Sequence, residues 1–228
     1  MHVMGTFTGG EMSSSSGLKQ LIRVDVVSDT MCPWCFVGKK CLEKAMDETK
    51  EHYDFEVQWH PFMLDPNLPK EGVDKFEYHR KKFGQSTQSL VDNLDQAFQR
   101  VGFHYGSGGK IGNTLDSHRL IELAGRQGLD KQNAVVESLM VKCLTQEKCV
   151  SDREVLLNVA ESAGIEGAEE WIDNPNAGLK EIQAEIEKYG HNISGVPHFK
   201  INDEYELAGA HAPHSFIRTF KRASQDSE

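Results

Sequence analysis

The segment that most restricts the fold is residues 21–59. Residues 21–27, Leu-Ile-Arg-Val-Asp-Val-Val, are β-branched and begin in alternation, which predicts a strand ended by Ser28 and Asp29. Pro33 suits a first helical turn. Gly38, Cys41, Leu42, Ala45, Met46 and Thr49 then recur at three- and four-residue spacing, so a helix is expected to about Lys50. Residues 55–59, Phe-Glu-Val-Gln-Trp, alternate as a second strand closed by Pro61. Two strands joined by one short helical connection form a βαβ unit with parallel strands and a right-handed crossover.

After Pro66 and Pro69 the pattern changes. Residues 75–102, 113–126 and 135–144 carry helical periodicity, the first two separated by a glycine-rich stretch, residues 106–109, that reads as flexible. Ser151-Asp-Arg-Glu154 reads as a capping box opening a further helix that Gly164 ends. No strand of comparable quality is expected between Pro66 and Asn176. Leu179, Ile182, Ile186 and Tyr189 then mark a helix stopped by Gly190. Residues 198–201 and 205–208 make a hairpin around the polar residues 202–204, and a last amphipathic helix runs from about Pro213. The expectation is an α/β chain: residues 18–66 and 177–228 form one domain, residues 67–176 are an inserted helical domain, and residues 1–17, serine- and glycine-rich, are a disordered leader.

Composition narrows the function classes. With 25 basic against 35 acidic residues the net charge is −10, which argues against nucleic acid and against an anionic membrane surface as partners. Apolar stretches are far too short to span a membrane. Five cysteines is an odd number in a chain long enough to bury a core without staples, which favours a reducing compartment. Residues 1–21 lack a basic start and an apolar run, so no secretory signal is read and a cytoplasmic location is expected. Oligomeric state is left open.

Cys32-Pro33-Trp34-Cys35 falls where the first strand hands over to the helix. Unsatisfied amides and the positive end of a helix favour an anionic sulfur at Cys32, and the thiolate is the form that attacks disulfides. Cys35, one turn on, is placed to close the ring or resolve a mixed disulfide. Zinc binding and plain packing are the alternatives. Zinc needs two more ligands, and Cys143 and Cys149 do not form a second Cys-x-x-Cys, so no metal is expected.

These residues resemble a known family. Cys32-Pro-Trp-Cys35 after Val24-Asp-Val-Val-Ser-Asp29, followed by Phe36-Val-Gly-Lys39, is similar to the DsbA-like thioredoxin-fold oxidoreductases of the FrnE-type branch. Asn113-Thr-Leu-Asp-Ser-His-Arg119, Ser151-Asp-Arg-Glu-Val-Leu156 and Gly195-Val-Pro-His-Phe199 fit the same branch, and the similarity covers residues 22–220. The resemblance implies a thioredoxin fold with a large all-helical insertion, Cys32 as nucleophile and Cys35 as resolving thiol. It implies a substrate site made by Pro33, Trp34, Val196, Pro197 and His118, the last lining the active-site cleft. It also implies a cis Val196–Pro197 bond, where the residues alone suggest an ordinary trans strand-start proline. Partners would be disulfide- or thiol-bearing proteins or glutathione, with no bound cofactor and glutathione admitted as co-substrate. Trp34 brings no imidazole charge between the cysteines, so a milder oxidant than Cys-Pro-His-Cys enzymes is expected.

Related kappa-type glutathione transferases and hydroxychromene carboxylate isomerases typically carry serine at the first position, and a non-catalytic, chaperone-like binding module is a third alternative. Cys41 reads as a buried packing thiol on the apolar face of the first helix. Cys143 and Cys149 read as two independent thiols, with a second disulfide as the alternative, and His211 and His214 as solvated residues at a helix start rather than metal ligands.

Overall fold

The computed structural model describes residues 19–225, so the leader expected at residues 1–17 lies outside the described residues. Strand β1 (Gln20–Ser28) runs into helix α1 (Pro33–Thr49), which returns to β2 (Tyr53–Pro61). β1 and β2 are parallel, in register from Gln20 opposite Tyr53 to Ser28 opposite Pro61. The C-terminal hairpin, β5 (His198–Ile201) and β6 (Tyr205–Ala208), adds antiparallel to the other edge of β1, giving the order β2-β1-β5-β6. Its turn is closed by Glu204 N–H donating to Ile201 O, with Asn202 and Asp203 at φ 47° and 61°. Asn and Asp tolerate that left-handed region better than most residues.

Alternation along β1 sorts the two faces. Ile22, Val24 and Val26 are buried on one side, opposite Phe55, Val57 and Trp59 of β2. That face is covered by α1 and by α9 (Pro213–Gln225), whose Phe216 meets Phe199 edge-on at 4.9 Å between ring centroids. Phe220 meets Phe55 at the same separation. Asp25 and Val27 face the other way with His60, towards α8 (Leu179–Gly190). There the buried His60 ring is held between Asp25 Oδ1 at 2.6 Å and Glu185 Oε2 at 2.5 Å and stacks on Tyr189 at 3.5 Å. Burial pulls this imidazole's pKa down, but hydrogen bonds and charge from the two carboxylates outweigh it, and the net shift is upward.

Residues between β2 and α8 form α2 (Lys75–Phe83), α3 (Thr87–Arg100), α4 (Leu115–Arg126), α5 (Leu129–Leu144), α6 (Arg153–Ser162) and α7 (Ala168–Asp173). One hydrophobic cluster runs from the sheet into these helices, from Ile22 and Trp59 to Leu120, Leu139 and Val159. Gln132 of α5 closes the free edge of β2: its Oε1 accepts from Trp59 N–H at 3.0 Å, and its Nε2 donates to Trp59 O at 3.2 Å. Gly125 leaves room for it, since a Cβ there would stand 2.9 Å from Gln132 Nε2.

The insertion departs from the sequence expectation in four places. It is not purely helical, because β3 (Val73–Asp74) and β4 (Lys110–Ile111) pair as a short antiparallel ribbon. Two-residue strands carry too little alternation to be seen in sequence. The helix expected over residues 75–102 is interrupted by a 3-10 turn at Gly84–Ser86, with Gly84 at φ 59°. Asp152, not Ser151, caps α6 through Glu154 N–H, while Ser151 Oγ donates to Lys70 O. The glycine-rich stretch is packed rather than free: Gly106 N–H donates to Leu144 O at 2.7 Å, and a Cβ on Gly109 would lie 2.2 Å from Glu147 O.

Candidate active site

The Cys-Pro-Trp-Cys segment sits where the helix begins. Cys32 is the N-cap of α1, with extended φ/ψ of −83° and 112°. Its N–H donates to Asp29 O at 3.0 Å, and its Sγ accepts from Cys35 N–H at 3.4 Å. The sulfur thus occupies the place of the oxygen in a conventional N-cap, where it receives one of the helix's orphan donors. The Cys32 Sγ–H in turn points at Val196 O, 3.7 Å away, and the Val196–Pro197 peptide bond is cis. Gly38, two turns along α1, permits this approach: a Cβ there would lie 3.0 Å from the Phe199 ring and 3.1 Å from Pro197 Cγ.

The two thiols differ in surroundings. Cys35 is 1% exposed and Cys32 4%. Burial, reinforced by hydrogen bonding and charge from Cys32, raises the Cys35 thiol well above the ordinary range. The Ser28 hydroxyl and the Asp29 backbone pull the other way, although Ser28 Oγ makes no hydrogen bond of ordinary geometry. All five cysteines are free thiols, so Cys143 and Cys149 are unpaired, Cys149 Sγ lying 3.0 Å from Ser151 Oγ.

Sequence reasoning placed Cys32, Pro33, Trp34, Cys35, Val196 and Pro197 in one site, and the fold brings them together. Trp34 projects outward at 42% exposure. His118 is elsewhere: it is 3% exposed and bonds through Nε2 to Phe62 O at 2.9 Å, with Asp29 Oδ1 at 3.5 Å. It therefore lies behind the loop that leads into Cys32, not in the cleft, because α4 turns that face onto the chain leaving β2. Cys41 departs from its expected role as well. It is half-buried and lines an open cleft beside Trp34, and burial raises its thiol while the Lys44 ammonium opposes the rise. His211 lines the same cleft, with Nε2 against Ala208 O at 3.0 Å.

One contributor escaped the sequence reading. Asp29 is completely buried three residues before Cys32, and its carboxylate accepts from Leu64 N–H at 2.8 Å and Met31 N–H at 3.4 Å. It pins the loop after β2 to the loop before α1. The Asp at a strand end followed two residues on by a bonded amide is an Asx-turn signature, and that was the available signal. Among the described residues no group of three or more His, Cys, Asp or Glu is placed to hold a metal ion.

A Cys-x-x-Cys pair at the start of the first helix, facing the X-Pro bond that precedes a hairpin, belongs to a thioredoxin-type fold elaborated by helices. The chain belongs to the DSBA-like thioredoxin domain family, whose sequence profile matches residues 23–221. It is 24% identical over 202 residues to the uncharacterised protein YwbO of Bacillus subtilis (strain 168), covering 80% of this chain and 88% of that one. Among solved structures it is similar to a probable DsbA oxidoreductase from Streptomyces coelicolor, with 29% identity, a TM-score of 0.81 and 90% of each chain covered. The fold is also that of the cytosolic disulfide reductase DsbM from Pseudomonas aeruginosa, at 14% identity and a TM-score of 0.58 over 89% of this chain and 98% of that one. Among the described residues no helix is long and apolar enough to cross a membrane.

Proposed function

We propose that the chain is a thiol–disulfide oxidoreductase working through Cys32 and Cys35 on disulfide-bearing proteins. The observation that carries this reading is the Cys32 sulfur at the α1 N-cap, receiving Cys35 N–H while facing Val196 O across 3.7 Å. Cys32 as thiolate attacks one sulfur of a substrate disulfide; a bond forms to Cys32 and the other substrate sulfur leaves as thiolate. Cys35 then gives its proton to that leaving thiolate or to water and attacks the Cys32 sulfur. The second substrate thiolate departs, leaving the substrate reduced by two electrons and Cys32–Cys35 oxidised. Run backwards, the same steps oxidise a dithiol. Val196, with its peptide groups beside the sulfur, would align an extended substrate strand.

Burial of Cys35 suits a thiol that must not compete for the first attack. In a reducing compartment such as the cytosol the dithiol form would dominate, and reduction or isomerisation would be the working direction. Glutathione would serve as reductant.

The test is a pair of variants. Cys32→Ser should abolish exchange, since a hydroxyl near neutral pH supplies almost no anion and forms no mixed disulfide. Cys35→Ser should accumulate a covalent adduct at Cys32, read by mass after a non-reducing gel. If Cys35→Ser traps nothing while Cys32→Ser keeps full exchange, the motif is not the active site. Glutathione conjugation unaffected by either change would support the transferase alternative instead.

A further inference from the structure

Beside Trp34 lies a cleft of about 780 Å³ between α1, α3 and the segment joining β6 to α9. Trp34, Val37, Cys41 and Lys44 line its α1 wall, at spacings of three, four and three residues, so they share one helix face. Ala97 and Arg100 of α3 stand opposite. The floor is apolar and no carboxylate lines it. Its volume is within the range of pockets that enclose ligands.

The charges make the cleft selective. The chain carries a net charge of −10, and many of its cations are neutralised locally. Lys40 at the cleft wall is one, held by Glu43 at 3.0 Å and Glu137 at 2.5 Å. Lys44 and Arg100 differ: among the described residues no carboxylate stands within ion-pair distance of either, and both are exposed. Two uncompensated cations face each other across an apolar trough that begins at the tryptophan between the active-site thiols.

We infer that this cleft recognises an acidic polypeptide segment flanking the substrate disulfide, with its carboxylates at Lys44 and Arg100. The inference rests on the thiol–disulfide reading above and names its substrate class. Lys44 lies ten residues along α1 from Trp34, a rise of about 15 Å. An extended chain covers about 3.3 Å per residue, so a carboxylate roughly four or five residues from the reacting cysteine meets Lys44. A glutathione carboxylate sits too close to its own sulfur to reach that far, so the occupant is a protein segment. Trp34 and Val37 would cover the intervening apolar side chains.

The experiment uses the full chain in reduced form and three disulfide probes. Two are synthetic peptides, each with one cysteine in disulfide linkage to 2-mercaptoethanol. They carry either glutamates or lysines four and five residues to both sides of the cysteine. The third is neutral bis(2-hydroxyethyl) disulfide. Second-order rates should favour the acidic peptide over the basic one by roughly three- to tenfold at low ionic strength, the scale of two exposed ion pairs, and the preference should fade in molar salt. The double variant Lys44→Glu/Arg100→Glu should reverse the order; both positions are exposed, so the fold should persist, and thermal melting checks this. Equal rates for the two peptides, or a preference that survives the double reversal, would overturn the inference while leaving the thiol–disulfide reading intact if the neutral probe reacts. No reaction with any of the three probes would overturn both.

Discussion

His60 offers a measurement of how the sheet is tied to α8. Its imidazole is buried between Asp25 and Glu185, at 2.6 and 2.5 Å, with the Tyr189 ring stacked on it. Replacing it by alanine empties the space under Tyr189 and, below the raised pKa of the imidazole, removes a cation from between two partly buried carboxylates. Removing one partner of a buried ion pair costs about 3–5 kcal/mol. Asp25 and Glu185 keep 18% and 27% side-chain exposure, so water can relieve part of their loss. A cost of about 3 kcal/mol is therefore expected, which for a domain this size lowers Tm by roughly 6–12 °C. The pH dependence separates charge from packing. The folded-state pKa of His60 is raised, so its charge-linked stability is fully present below the unfolded value of about 6.5 and is lost as pH rises through the folded value. Thermal melts of parent and His60→Ala from pH 5.5 to 9 should show the gap narrowing as pH rises. The packing loss remains as a pH-independent offset. A gap that stays constant across that range, or grows, would refute the view that a charged imidazole holds this joint.

Two further outcomes follow from local geometry. Gly38→Ala places a methyl 3.0 Å from the Phe199 ring and 3.1 Å from Pro197. Helix propensity should repay about 1 kcal/mol of the crowding, leaving Tm within a few degrees while the exchange rate falls several-fold as α1 is pushed from Val196–Pro197; an unchanged rate would show that this spacing does not matter. Gln132→Ala strips both backbone bonds from Trp59, which is 4% exposed. About 2 kcal/mol should be lost, with faster hydrogen exchange at the Trp59 amide, and a melt within a degree of the parent would mean that water replaces the side chain fully.

Much of the framework is legible in the sequence because its elements carry strong local patterns. β1 and β2 alternate, α1 and α9 keep an apolar stripe, and Asn202-Asp203 supply the left-handed turn that the hairpin needs. The juxtaposition of Cys32 and Cys35 was legible because two cysteines three residues apart at a strand-to-helix junction fall within one helical turn. What escaped depends on contacts between distant segments. Asp29 and His118 are 89 positions apart in numbering and meet only because α4 docks on the loops flanking β1 and β2. Cys41 sits on a stripe that looks like core, yet α3 stands off far enough to leave a cleft there. The choice of Asp152 over Ser151 as cap is decided by the Lys70 carbonyl, which draws the serine hydroxyl away.

The position of Cys32 at the head of α1 has a consequence for how such a chain can change over time. A helix start asks for a compact side-chain acceptor, and an oxygen meets that demand at least as well as sulfur. Cys35 N–H would still find its partner if a hydroxyl stood there. By the capping criterion alone the scaffold would hold serine as readily as cysteine, although Cys32 also belongs to the buried apolar cluster. One base change separates the two codons, and the intermediate is a folded protein rather than a broken one. A chain on this frame could thus exchange sulfur for oxygen at position 32 in a single step without losing the helix start that positions it.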